Sequence, residues 1–277
     1  MTNGTFFPEL GDEWEPTRAT LHLYANAVGI IPRAHAAFHP RWWHISLKVR
    51  PDGLVTESFP LPGSGSAFVR MDLRSHQIVV ESSDGRRSAV SMTAGLTGTE
   101  MGENLIALVA ELGLEGEYVR TKFENDEARS YDPAQAERFF RAIVDVNEAF
   151  SEHRNSLVGP VGPIQIWPHG FDIAFEWFGT KTEEYEENGE VQTHHAQLNL
   201  GFYPGGRPYF YSNPWPFLAE KLVSVELPHG AEWHQEGWEG SILYYDLLHG
   251  DPAARQKLLD YAGAVYEAAA PTLSEDG

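Results

Sequence analysis

The chain has 277 residues, 42% hydrophobic and 22% charged, which suits a globular fold of one large domain or two ordinary ones. It contains no cysteine, so disulfides, thiolate metal sites and thiol nucleophiles are excluded, and a metal would need His, Asp, Glu or backbone oxygen. Its formal charge of −20, from 20 basic and 40 acidic residues, disfavours nucleic acid and anionic membrane surfaces as partners. No apolar run reaches membrane-spanning length, and Met1-Thr2-Asn3-Gly4-Thr5 lacks the basic start of a secretory signal, so a cytoplasmic location is the default expectation.

Pro8, Gly11 and Pro16 mark residues 1–16 as an N-terminal arm. Thr17 reads as a helix N-cap, with Leu21, Tyr24, Ala25 and Val28 at helical spacing and Gly29 and Pro32 as its stop. Short strands follow at Trp43–Val49, Leu54–Phe59, Ala67–Leu73, Gln77–Glu81 and Ser88–Met92, joined by turns such as Pro51-Asp52-Gly53 and Ser83-Asp84-Gly85. Met101–Leu112 reads as a helix and Gly116–Arg120 as a strand; residues 17–121 form a first α+β half. Residues 122–131 are polar and read as a linker. The second half, 132–277, opens with Asp132 as N-cap, Pro133 in the first turn and Gln135 at the capping-box position. Strands are then expected at Ile164–Trp167, Phe171–Phe178, His195–Tyr203, Arg207–Ser212 and Ser241–Asp246. Lys181–Val191 is expected as an acidic loop, Gly205-Gly206 as a hairpin turn, and a last helix opens at Asp251-Pro252. The fold class is α+β: two antiparallel β-rich units flanked by helices, of similar outline, as in a pseudo-duplicated single globular unit.

The segment His35-Ala36-Ala37-Phe38-His39-Pro40-Arg41-Trp42-Trp43-His44 concentrates imidazole and indole. Imidazole titrates near neutral pH and is the commonest metal ligand, while indole supplies a flat wall with one donor. His35 and His39 have helical ligand spacing, but Pro40 interrupts the helix and no metalloprotease motif follows, so they read as loop histidines. Strand alternation gives polar faces holding His44, Arg70 with Asp72, Asp172 with Glu176, and His195 with Gln197 and Asn199. Such faces either meet water or line a shared cavity. In the second case Asp172 orients a histidine as general base. Tyr209-Phe210-Tyr211 is an aromatic run suited to a ligand pocket or to a core. Neither a phosphate-loop nor a dinucleotide fingerprint is present, and Gly63-Ser64-Gly65-Ser66 is a flexible loop.

Thr20-Leu21-His22-Leu23-Tyr24 with Val28-Gly29, Trp42-Trp43-His44, Ser83-Asp84-Gly85, Tyr131-Asp132-Pro133 with Phe139-Phe140, Phe171-Asp172-Ile173-Ala174 and Gly201-Phe202-Tyr203-Pro204-Gly205 resemble an uncharacterised bacterial family, domain of unknown function 5996. The resemblance runs from about Pro8 to about Ala270 and implies one family-length unit without an assigned activity. It implies that His22, His44 and His195 stand at family positions. This chain departs from the family pattern near Asn26, where a glutamine is common, and at Gly170, where a serine stands. The resulting expectation is a small-molecule enzyme with His44, Asp172 and His195 as its acid–base set. His22, Asn26, Trp42, Trp43, Arg70, Phe210 and Tyr211 would bind substrate, Arg70 by holding an anionic group. The alternatives are a non-catalytic small-molecule binding protein and a mononuclear metal site built from the same His and Asp side chains. Nothing in the sequence sets the oligomeric state.

Overall fold

The structure is a computed structural model and describes residues 6–187 and 190–275. In chain order the elements are α1 (Glu15–His35), β1 (Leu47–Arg50), β2 (Gly53–Thr56), β3 (Phe59–Pro60), β4 (Ser66–Asp72), β5 (Gln77–Ser82), β6 (Arg87–Ser91), α2 (Gly98–Ala110) and α3 (Pro133–Ser156). They continue with β7 (Gln165–Trp167), β8 (Asp172–Glu187), β9 (Glu190–Tyr203), β10 (Tyr209–Ser212), β11 (Pro214–Trp215), α4 (Ala219–Leu222), β12 (Glu232–His234), β13 (Gly240–Tyr244) and α5 (Ala254–Ala269). The protein is α+β, with antiparallel strand pairing. Among the described residues no helix is long and apolar enough to cross a membrane.

Two compact units divide the chain. The first comprises Leu10–Val144 and Gln165–Asp172; the second comprises residues 6–9, Asp145–Ile164 and residues 173–275. The segment expected as a linker, 122–131, lies inside the first unit.

In the first unit the strands run in the order β7-β1-β2-β4-β5-β6, with β3 also on β4. Helix α1 packs on β2, β3 and β4, and α2 on β5 and β6. Leu21, Tyr24, Val28 and Ile31 form the buried stripe of α1, which packs on the strands that carry the buried Leu54, Val69 and Met71. Thr17 does not cap α1. The helix starts at Glu15, and the Thr17 hydroxyl accepts the Asp132 N–H at 2.9 Å, while Thr20 Oγ1 donates to the Ser130 carbonyl at 2.6 Å. Pro32 does not stop it either: the helix carries Pro32 in its last turn and ends at His35, because a proline there forfeits only one backbone bond. Helix α2 begins three residues before its expected start, on a capping box in which Thr97 Oγ1 accepts Glu100 N–H and Glu100 Oε2 accepts Thr97 N–H. Asp132 caps α3 through the N–H of Ala134 at 2.8 Å, but Gln135 does not complete a capping box, since its Oε1 has no hydrogen-bond partner among the described residues. Gly116–Arg120 forms no strand; Tyr118 instead binds the His35 ring at 2.8 Å through its hydroxyl.

The second unit has strand order β12-β13-β10-β9-β8, with β11 on β9. Its core joins Phe7, Phe150, Phe175, Phe202, Phe210 and Tyr245 with Leu258, Tyr261 and Val265 of α5. The N-terminal segment is part of this core rather than a loose arm. Phe7 is fully buried, its N–H reaches Asp145 Oδ2 at 3.0 Å, and the Tyr245 hydroxyl donates to the Pro8 carbonyl at 2.7 Å. The acidic loop expected at Lys181–Val191 is a β-ribbon over its described residues, 188 and 189 lying outside them. Pairing of β8 with β9 continues from Thr182↔His195 to Glu187↔Glu190, beyond a bulge between Phe178 and Thr182.

Candidate functional site

The first unit carries a cleft of about 100 Å³ lined by Asn26, Gly29, Ile30, Arg33, Ile45, Lys122, Pro168 and His169. Four of these residues sit on α1 at positions i, i+3, i+4 and i+7, one face of the helix. The turn 168–171 closes over that face. A Cβ at Gly29 would stand 2.9 Å from the Pro168 ring, so the approach depends on glycine.

His22 lies one turn before Asn26, whose Nδ2 donates to the His22 carbonyl at 3.2 Å. Its ring Nε2 is 3.0 Å from the His169 carbonyl. A carbonyl only accepts, so Nε2 carries the proton and Nδ1 of the neutral ring keeps a lone pair. Burial holds this imidazole below its ordinary pKa, while the His169 carbonyl and the charge of Asp172 work in the opposite direction. Phe171 stacks on the ring at 5.8 Å and is itself stacked on Phe139 at 5.2 Å. Phe171 has φ +57° although it is not glycine, and Trp42, beside the cleft residue Arg33, has φ +59°. Left-handed backbone at a bulky residue costs about 1–3 kcal/mol and gathers at functional sites.

Of the residues expected at a site, His22, Asn26, Trp42, Trp43, His44, Arg70 and Asp172 fall in the first unit, and His195, Phe210 and Tyr211 in the second. His22, Asn26 and Asp172 are brought to the cleft or next to it. His44 is buried, in a 3-10 turn over Trp43–Ile45 rather than on the expected strand. Its Nδ1 accepts the His39 N–H at 3.2 Å, which leaves Nε2–H as a donor, and burial lowers its pKa, helped by His39 and Arg33. Trp42 is 41% exposed, stacks on His44 at 5.5 Å and lies 4.7 Å from the Arg33 guanidinium. Trp43 stacks on His39 at 4.4 Å, and its buried Nε1 has no hydrogen-bond partner among the described residues. The polar face of β1 turns inward: Ser46 Oγ lies 2.6 Å and Lys48 Nζ 2.9 Å from Oε1 of the buried Gln165.

Arg70 is held by carboxylates of its own sheet, Asp52 at 2.9 Å, Glu81 at 3.6 Å and Asp72 at 3.9 Å. Arg70→Leu is expected to lower stability at pH 7 by roughly 1–2 kcal/mol, because three carboxylates then face one another without a cation. Urea titrations should show the deficit shrinking in 1 M salt, which screens the repulsion among those carboxylates. In the second unit, His195 is exposed on β9. Phe210 is a fully buried core ring, and Tyr211 is half-buried, 2.2 Å from where a Cβ at Gly201 would stand.

Arg33, Lys122 and His169 escaped the sequence reading. The signal that exposes Arg33 is its place on the Asn26–Gly29–Ile30 face; Lys122 and His169 reach the cleft through turns with no periodicity to read. Among the described residues no group of three or more His, Asp and Glu side chains forms a metal-binding cluster, so the metal alternative finds no ligand set there.

Fold and cleft together define an α+β protein with a cation-lined pocket beside a histidine of fixed tautomer. The model of a family of unknown function, DUF5996, matches residues 7–276, and the chain belongs to that family. No curated protein and no solved structure matches it.

Proposed function

We propose that the protein is a small-molecule enzyme that holds an anionic substrate in the first unit's cleft and uses His22 as its acid–base group. The observation that carries this reading is the pair Arg33 and Lys122, two cations lining one cleft of a chain with net charge −20. Among the described residues neither is paired with a carboxylate, in contrast to Arg70. Both are exposed, so an anionic group can bind between them, and Asn26 adds a neutral donor and acceptor. Beside it, His22 offers an unprotonated Nδ1, while Asp172 favours the imidazolium formed when that nitrogen takes a proton. The indole of Trp42 steadies the Arg33 guanidinium. This reading leaves His195 outside the reacting set.

Calorimetric titration with inorganic phosphate and with succinate is the test. Arg33→Gln and Lys122→Gln should each weaken binding about tenfold or more, the worth of a charged hydrogen bond, whereas Arg74→Gln, at an exposed turn, should leave it unchanged. Equal binding in all three variants refutes the cleft as the site. His22→Gln is expected to keep the affinity; mass spectrometry of molecules co-purifying with that variant then identifies the unconverted substrate.

A further inference from the structure

The second unit holds a separate groove of about 400 Å³ between the C-terminal half of α3 and α5, with Glu152, His153, Leu259, Gly263, Tyr266 and Glu267 among its lining. That volume lies in the range of small-molecule sites. We infer that this groove binds a small organic ammonium compound with an aromatic body, its N–H groups donating to His153 and its charge facing the rim carboxylates.

Three observations carry the assignment. His153 is 8% exposed and lines both the groove and a small cavity beneath it, which Phe175, Trp177 and Tyr266 also wall. Among the described residues neither ring nitrogen meets a hydrogen-bond partner; the ring lies beside those of Phe175 and Tyr266, each at 6.3 Å. Neither nitrogen is a buried unsatisfied atom, so the ring opens on the groove, where a ligand donor can take the place of solvent. Burial pushes its pKa down to about 4, so at neutral pH it is uncharged and one nitrogen accepts.

Second, the groove is held open by a glycine. Gly263 sits inside α5, where glycine is the poorest helix former after proline, and no atom lies within 4 Å of where its Cβ would stand. No packing demand inside the unit explains it, whereas a ligand lying against the helix backbone does. Third, the chemistry of the walls selects the charge. Glu267 and Glu152 stand at the rim, the latter paired with Arg255 at 2.7 Å, and the aromatic ring of Tyr266 in the lining attracts cations. At this rim, unlike the cleft of Arg33 and Lys122, the local carboxylates add to the net charge of −20 in favouring a cation.

Phenethylamine, 2-phenylethanol and 3-phenylpropionate share the aryl-ethyl body and differ in the polar group. In proton–nitrogen correlation spectra at pH 7, phenethylamine is expected to shift the Gly263 and Tyr266 amide signals and to saturate; the alcohol and the acid should bind at least tenfold more weakly. Gly263→Leu, which fills the groove, and His153→Phe, which removes the acceptor, should each reduce phenethylamine affinity tenfold or more. Gly263→Ala should raise the melting temperature and still weaken binding, which separates lost space from lost folding. Absence of saturable shifts with phenethylamine, equal affinity for the alcohol, or unchanged affinity in Gly263→Ala and His153→Phe overturns the assignment.

Discussion

Replacing His153 with phenylalanine should flatten the stability of the protein between pH 6.5 and pH 4. The imidazole lies in the second unit against Phe175 and Tyr266, and burial lowers its pKa to about 4, whereas in an unfolded chain it titrates near 6.5. Above the unfolded value both states are neutral and the residue adds no pH dependence. Between the two values the unfolded chain carries the extra proton, so stability falls as pH falls. The full loss is on the order of 3 kcal/mol, reached near pH 4, where the folded state begins to take up the proton as well. His22, His35 and His44, also lowered chiefly by burial, act in the same direction. Urea unfolding across this window should give a steep slope for the native chain and a shallower one for His153→Phe. Parallel profiles would show that His153 is hydrated in the folded state.

Gly102→Ala should destabilise the protein by about 2 kcal/mol, although alanine is the better helix former by roughly 1 kcal/mol. Gly102 lies inside α2, and a Cβ there would fall 2.2 to 2.6 Å from three carbons of the Phe123 ring. Phe123 is fully buried, so its ring has nowhere to move. Thermal unfolding should register a clear drop, and a second substitution, Phe123→Leu, should recover part of it by vacating the space. At Gly263 in α5 the same exchange meets no atom within 4 Å and should stabilise instead. One substitution, two helices and opposite signs isolate packing from propensity.

Much of the fold was legible because it rests on local patterns. The 3.6-residue spacing of Leu21, Tyr24 and Val28 marked α1, and Asp132-Pro133 marked the start of α3. The meander followed from alternation and turn dipeptides; three strands fall within one residue of their expected bounds, while β1 starts four residues later than expected and Leu54–Phe59 divides into β2 and β3. Other local signals were present and passed over. Thr97-x-x-Glu100 announces the α2 cap, and the Asn-Gly dipeptide at 188–189, which lies outside the described residues, is a hairpin signature in the segment read as a loop. The acidic composition of Lys181–Val191 masked its strand character, since the segment has no apolar alternation to show.

The site divides in the same way. The family resemblance pointed to His22, and the chain around it carries the periodic face Asn26, Gly29, Ile30 and Arg33. Its partners across the cleft, Lys122, Pro168 and His169, come from turns far away in sequence, and nothing local in those turns encodes the meeting. Composition, helix caps and strand alternation, all short-range, determined by themselves that this is an acidic α+β protein with no thiol chemistry. Which polar groups face a cleft, which are consumed by neighbours as Arg70 is, and which lie in water depended on long-range packing of one element on another, and that only the tertiary structure decided.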